Sequence, residues 1–339
     1  PQPARAEPET IFADDFDDTS KVDLEQTTAH VNTAQGWVEL AQPPKSGVIS
    51  AEASADPAWP SNIIVADETG VGWYAFDQAS RTMRRVDALS APYQNALAVS
   101  LVPETKNFWL LVRGTGQDDY MLKQAVFDGA GMVDNPLVAV SGLTQVVAIA
   151  AVDSASVAVA DENGRVTVYS EGRVDTAHSF DTGLQGIRSV INIPGTWNFI
   201  VVTGDGAHLF VYDQGAFRYV ESAAHRIQAG GQEILSGAQA EGGALVDLIT
   251  PDRTLGYVYD QSAGRYVEAG VYAIGDLKSP LAVALPSTQV VAVAEEEGRV
   301  RFFRYAGGSF AEDPGLAITG LSWTKDYRSP GIYVSKPIA

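Results

Sequence analysis

A short phrase that occurs six times decides most of what this chain can become. Residues 257–269 read YVYDQSAGRYVEA. Apolar and polar positions alternate on both sides of a break rich in Asp, Gln, Ser and Gly, which is the pattern of two antiparallel strands joined by a tight turn. The same design returns in YAFDQASRTMRRV, AVFDGAGMV, TVYSEGRV, FVYDQGAFRYVE and FRYAGGSF, with an aromatic before each turn at Phe76, Phe127, Tyr169, Tyr212, Tyr259 and Tyr305. Successive aromatics lie 51, 42, 43, 47 and 46 residues apart. That period suits a four-stranded blade and lacks the paired helices of helical repeats. The chain therefore reads as an all-β protein, a β-propeller of four-stranded blades.

Ahead of each hairpin stand two further strands. The first of each pair (GVISAEA, ALAVSLV, QVVAIAAV, IRSVINI, EILSGAQ, PLAVALP) is rich in small residues, as the crowded axis of a propeller demands. The second strands are NIIVA, NFWLLV, SVAVA, NFIVV, ALVDLI and VVAVA. Turns such as DETG, DENG, GDG, PDRT and EEEG follow, with side chains that cap and glycines that accept φ > 0. No segment keeps a 3.6-residue period, so helix content is expected to be low. At the N-terminus, Val31 and Asn32 in AHVNTAQGWVEL align with Phe76 and Asp77, which adds another hairpin. At the C-terminus, Leu321 and Gly331 repeat the ten-residue offset between Pro280 and Val290. Two strands from each terminus make one more blade and would close the ring without a covalent bond. The sequence thus favours seven blades, the last shared by both termini, over the alternative of six blades with a terminal β module. Residues 1–10, PQPARAEPET, hold three prolines and read as an arm or linker, leaving 11–339 as a single propeller domain.

Composition narrows the uses of such a ring. Lys and Arg total 23 against 42 Asp and Glu, a net charge of −19, so the surface repels nucleic-acid phosphates and anionic membranes. No run of about 18 apolar residues could span a bilayer. A start at Pro1 without Met fits a processed secreted chain or an excised piece of a longer one. With no cysteine there is neither a disulfide nor a thiolate nucleophile, and the compartment stays open.

Candidate chemistry is sparse. Asp14, Asp15, Asp17 and Asp18 crowd around Phe12 and Phe16 in IFADDFDDTSKVD, and a set of carboxylate oxygens suits calcium. The spacing lacks the D-x-D-x-D-G ladder, and a solvated acidic turn with two aromatic anchors explains it as well. Glu52, Glu104, Asp153 and Glu241 stand where inner strands end and could ligate a cation at the mouth of the axis, though polar turns are required there in any case. His30, His178, His208 and His225 fall at different places in the repeat, whereas metal or acid–base work needs them to converge. Trp59, Trp73, Trp109, Trp197 and Trp323 suit either a sugar-stacking platform or packing between blades, and packing is the commoner use. Sialidase boxes of the form S-x-D-x-G-x-x-W, WD and YWTD signatures, tryptophan-rich quinone repeats and a strand-to-helix GxGxxG are all absent.

The phrases DDFDDTSKVD, TTAHVNTAQGWVEL, FDGAGMVDNPLVAVSGL and GIYVSKPIA resemble secreted or surface-attached bacterial β-propeller repeat proteins of uncharacterised function. The resemblance spans most of the chain and carries no catalytic signature. It implies an extracellular or cell-surface setting and a binding or building role; with no catalytic constellation in the residues, the expectation is a non-enzymatic structural, adhesive or assembly module whose one candidate cofactor is calcium at the acidic cluster. Expected partners are further copies of the chain through its N-terminal arm, a surface glycan or an envelope protein. The alternatives are a cation-dependent propeller hydrolase or lyase acting on a glycan or lactone, and a receptor-binding module of a phage-like particle.

Overall fold

The computed structural model of the chain describes residues 29–32, 37–40, 48–114 and 119–324. The chain divides into two compact units: Pro43–Thr324, and Pro1–Gln42 together with Lys325–Ala339. In the smaller unit, Ala29–Asn32 and Trp37–Leu40 pair as an antiparallel hairpin with Val31 opposite Val38, at the position its sequence indicated. The arm at 1–10 and the acidic cluster Asp14, Asp15, Asp17 and Asp18 lie outside the described residues.

The larger unit is a propeller of six antiparallel blades. Blade 1 is Ile49–Ala51, Asn62–Asp67, Gly70–Asp77 and Thr82–Arg85, numbered from the axis outward. Blades 2 to 6 repeat this order from inner strands Ala96–Leu101, Val146–Ala151, Ile187–Asn192, Ser236–Ala240 and Pro280–Ser287. Helix among the described residues is confined to short 3-10 turns. The aspartate after the hairpin aromatic has a clear task. Asp77, Asp128, Asp213 and Asp260 each accept the backbone N–H two residues on, at 2.8–2.9 Å, which closes the turn. These backbone bonds hold the carboxyls of Asp77 and Asp128 below the ordinary aspartate range.

Blade count is where the sequence misleads. The ring closes between blade 6 and blade 1, with no seventh blade between them. Val48, Ile49, Ile63 and Val65 of blade 1 pack directly on Leu281, Ala282, Ala292 and Phe302 of blade 6. Polar bonds seal the same seam: Ser54 N–H to the Pro286 carbonyl at 2.8 Å, and Ser287 Oγ to the Pro57 carbonyl at 2.6 Å. Leu321, read from sequence as part of a shared blade, instead leads a segment that caps this seam. Glu68 N–H donates to the Ser322 carbonyl at 2.7 Å, and the buried Trp323 donates its indole N–H to the Glu295 carbonyl at 2.8 Å. Among the described residues this seam is filled by blade 1, blade 6 and the 321–324 segment. Six blades, the count of the alternative weighed above, is the number found.

The turn glycines behave as their positions require. Gly164, Gly264 and Gly298 have φ of 90°, 64° and 80°. At Gly264 an added Cβ points into open space, so valine there is expected to cost only the left-handed penalty, about 1–2 kcal/mol. At Gly298 a Cβ would also collide with the Leu321 carbonyl oxygen, on the segment that caps the closing seam. Gly298→Val should therefore lower the urea midpoint distinctly more than Gly264→Val, and equal losses would refute this account of the two turns.

Candidate functional site

The inner strands of all six blades line an axial channel whose cavity measures about 180 Å³. Its polar groups are hydroxyls and amides: Ser50, Ser100, Ser189, Asn192, Ser236 and Gln239. Several are occupied in holding blades together. Ser50 Oγ accepts the Leu101 N–H at 3.1 Å and Ser100 Oγ accepts the Ala151 N–H at 2.9 Å, each joining one inner strand to the next. Asn192 donates its amide to the carbonyls of Thr196 and Asn198. No carboxylate, imidazole or amine lines the channel among the described residues. Such a surface offers neutral hydrogen bonds and no proton-transfer group.

The acidic residues singled out at the strand ends do not meet there. Glu52 and Glu104 lie at a second cavity of about 370 Å³ in the seam between blades 1 and 2, together with Lys106, Asn62 and Trp73. Glu52 is engaged by the side chains of Asn62 and Ser61. Asp153 caps its own turn through the Ala155 N–H at 2.7 Å, and Glu241 begins the 3-10 turn Glu241–Gly243. Among the described residues no group of three or more His, Asp or Glu side chains is placed to hold a metal ion. No helix among them is long and apolar enough to cross a membrane.

The histidines do not converge, and His178, His208 and His225 act as separate local struts. His30 sits opposite Glu39 in the terminal hairpin. His178 bonds Asp175 at 2.7 Å and stacks on Trp197 at 3.8 Å. His225 bonds Ser222 at 2.6 Å and stacks on Tyr259 at 4.8 Å. His208 joins a chain that looks at first like a nucleophile–base–acid relay. Its Nε2 is 3.5 Å from Thr203 Oγ1, and its Nδ1 is 2.8 Å from Glu221 Oε1. Chemistry is denied to it by burial and by competing partners. Thr203 and His208 are 2% and 7% exposed, the Thr203 hydroxyl donates instead to Asp205 at 2.6 Å, and Arg226 grips Glu221 with two bonds of 2.8 Å. Burial alone would raise the Glu221 carboxyl, but the bonds from His208 and Arg226 outweigh it and hold the group below its usual range. This is a brace across blade 4.

The tryptophans do not form one platform. Trp73, Trp109 and Trp323 are buried in three different seams. Trp59 is sandwiched between Phe76 at 4.9 Å and the Arg304 guanidinium at 3.8 Å, and so links blade 1 to blade 6. The periodic hairpin aromatics serve the same end: Phe76, Tyr212 and Tyr259 each pack a ring against a neighbour at the rim.

Two buried charged positions escaped the sequence reading. Glu295, fully buried at the end of the second strand of blade 6, accepts from Arg299 Nε at 2.6 Å, Arg301 Nη1 at 2.9 Å and the Lys278 N–H at 3.0 Å. Its turn, EEEGRVR, shows the charges in sequence but not that the first of them points inward. Asp247 is fully buried in the second strand of blade 5, in ALVDLI. Aligning the six second strands would have exposed it, since the corresponding stretches are otherwise apolar.

The fold is shared, at low identity, with solved structures. A chain in a crystal structure of a nidogen/laminin complex matches with a TM-score of 0.54 and 13% identity, over 74% of this chain and 91% of that one. A functionally unknown protein from Desulfotomaculum acetoxidans DSM 771 matches with a TM-score of 0.52 and 10% identity, over 79% and 82% of the two chains. Identities this low carry the fold alone. No protein-family model matches the sequence, and no curated protein does.

Proposed function

We propose that the chain is a non-enzymatic β-propeller that serves as a structural, adhesive or assembly module outside the cell or at its surface, binding protein or envelope glycan through its faces. The observation that carries this reading is the axial channel. The position where a propeller enzyme would gather its acids and bases holds serines, alanines, valines and amides, several of them already spent on joining neighbouring blades. Protein binding is a use the fold supports, since a chain of like fold was crystallised in a nidogen/laminin complex. The resemblance to surface-attached bacterial propellers supplies the extracellular setting, and the acidic cluster Asp14, Asp15, Asp17 and Asp18 supplies the candidate calcium site.

A net charge of −19 opposes close self-association, and that repulsion is screened beyond about 10 Å at 0.1 M salt. Light scattering of the full chain, and of a chain lacking residues 1–10, in low salt, high salt and calcium tests the assembly role. The mass of the full chain is expected to rise with salt or calcium, and that of the shortened chain to stay monomeric. Identical monomers in every sample would overturn self-assembly through the arm.

A further inference from the structure

Asp247 stands where no other blade places an ionisable group. The ladders between inner and second strands match it with Ile64, Trp109, Ala158, Ile200 and Ala292, through the pairs Ser50–Ile64, Ser100–Trp109, Ala150–Ala158, Ile191–Ile200, Ala238–Asp247 and Ala284–Ala292. All five counterparts are buried against the following blade. Asp247 alternates with Leu245 and Ile249, which pack on Val283, Leu285, Val291 and Val293 of blade 6, so its side chain lies on the face that meets blade 6. It is 0% exposed, and neither carboxyl oxygen has a hydrogen-bond partner among the described residues.

We propose that the seam between blades 5 and 6 is a pH-governed weak point of the ring: it is tight while Asp247 carries its proton, and it is the seam that loosens first as Asp247 loses it. An ionised carboxylate buried in an apolar seam without a partner is strongly disfavoured, so ionisation is accompanied by opening or by water entry. The other five seams hold an apolar residue at this position and lack the device.

None of the charged groups around the seam bonds either Asp247 oxygen. On blade 5 the pairing residue across from Asp247 is Gly256, against which Tyr272 packs. On blade 6, Glu295 continues the face of Val291 and Val293, and it is already bound to Arg299 and Arg301. In the connection between the two blades, Asp276 and Lys278 turn backbone groups toward Arg301 and Glu295. The pKa of Asp247 is raised well above the usual aspartate range by burial, with only the nearby Leu248 N–H, outside hydrogen-bond geometry, acting the other way. Because the folded pKa lies above the unfolded one, the seam is fully stable at pH below the ordinary aspartate range and loses stability as pH climbs toward the raised value.

Hydrogen exchange of the full chain across a pH series, corrected for the intrinsic exchange rate, reads this directly. In the unsubstituted protein, protection of the amides in Leu245–Ile249 and Val290–Glu295 should fall with rising pH by up to tenfold per unit, the limit for one linked proton. Phe108–Arg113, away from this seam, should show no such slope. Asp247→Ala, the residue that blades 3 and 6 already hold, and Asp247→Asn, which keeps the shape should alanine fail to fold, should both abolish the slope. An unchanged slope in Asp247→Asn, a slope shared by all six seams, or no slope in the unsubstituted protein would each overturn the proposal.

Discussion

Replacing Trp109 by alanine is expected to lower stability by about 3–5 kcal/mol, the usual toll for removing a fully buried tryptophan. Trp109 sits near the start of the second strand of blade 2, has no exposed surface, and fills the seam to blade 3 beside Leu97, Leu111 and Ile149. Its indole N–H also donates to the Asp153 carbonyl at 3.2 Å, so alanine leaves a cavity and removes this bond between blades in one step. A propeller resists opening only as well as its weakest seam, which makes this loss global and not local. Urea unfolding followed by tryptophan fluorescence, with far-ultraviolet dichroism as a second probe, should show one transition at a much lower midpoint. A loss under about 1 kcal/mol would mean that the seam repacks around the gap.

The second large effect concerns Glu295. Removing it as Glu295→Ala strips Arg301 of one carboxylate and leaves the Lys278 N–H without an acceptor, in a site with no solvent at the carboxylate. Breaking a buried ion pair from one side costs about 3–5 kcal/mol, mostly from the charge left behind. Arg301 keeps Glu312 at 2.5 Å and Arg299 keeps Glu297 at 3.3 Å, so the figure belongs at the lower end. Glu295→Gln retains the shape and an acceptor and should lose less. Equal losses for the two substitutions would show that shape and the remaining acceptor contribute nothing and that the negative charge accounts for the whole effect.

How far these features were legible beforehand differs by type. Hairpins and paired strands were readable because alternation, turn chemistry and a regular period act locally, and each leaves its mark on neighbouring residues. Asp77 and Asp260 illustrate this: an aspartate after the aromatic announces the turn that its carboxylate then caps. The number of blades is not local. Val31 and Leu321 both fit the period, yet whether the ring has room for them depends on Ile49, Ile63, Leu281 and Phe302 meeting across a sequence gap of more than 200 residues. Nothing within a single repeat reports that meeting. Buried polar groups fall between these cases. The isolation of Asp247 among apolar counterparts is visible once the second strands are aligned. The brace joining His208, Glu221 and Arg226 requires knowing which outer strand lies beside which.

The channel residues show the same division. Small side chains on the inner strands announced an axis, and Ser50 and Ser100 are among them. That their hydroxyls are committed to the next blade's backbone depends on inter-blade geometry. The functional proposal therefore rests on what the inner strands became once they were brought together.

The central claim is that six blades form a closed ring in which residues 43–324 suffice, and one comparison tests it most directly: equilibrium unfolding of the full chain against a chain trimmed to those residues. If blade 6 closes on blade 1 through Val48, Ile63, Phe302 and Trp323, the two should unfold in a single transition with the same midpoint and the same denaturant slope. A trimmed chain that melts far below the full one, or that aggregates through newly exposed strand edges, would show that a terminal blade completes the ring and would contradict the six-bladed closure.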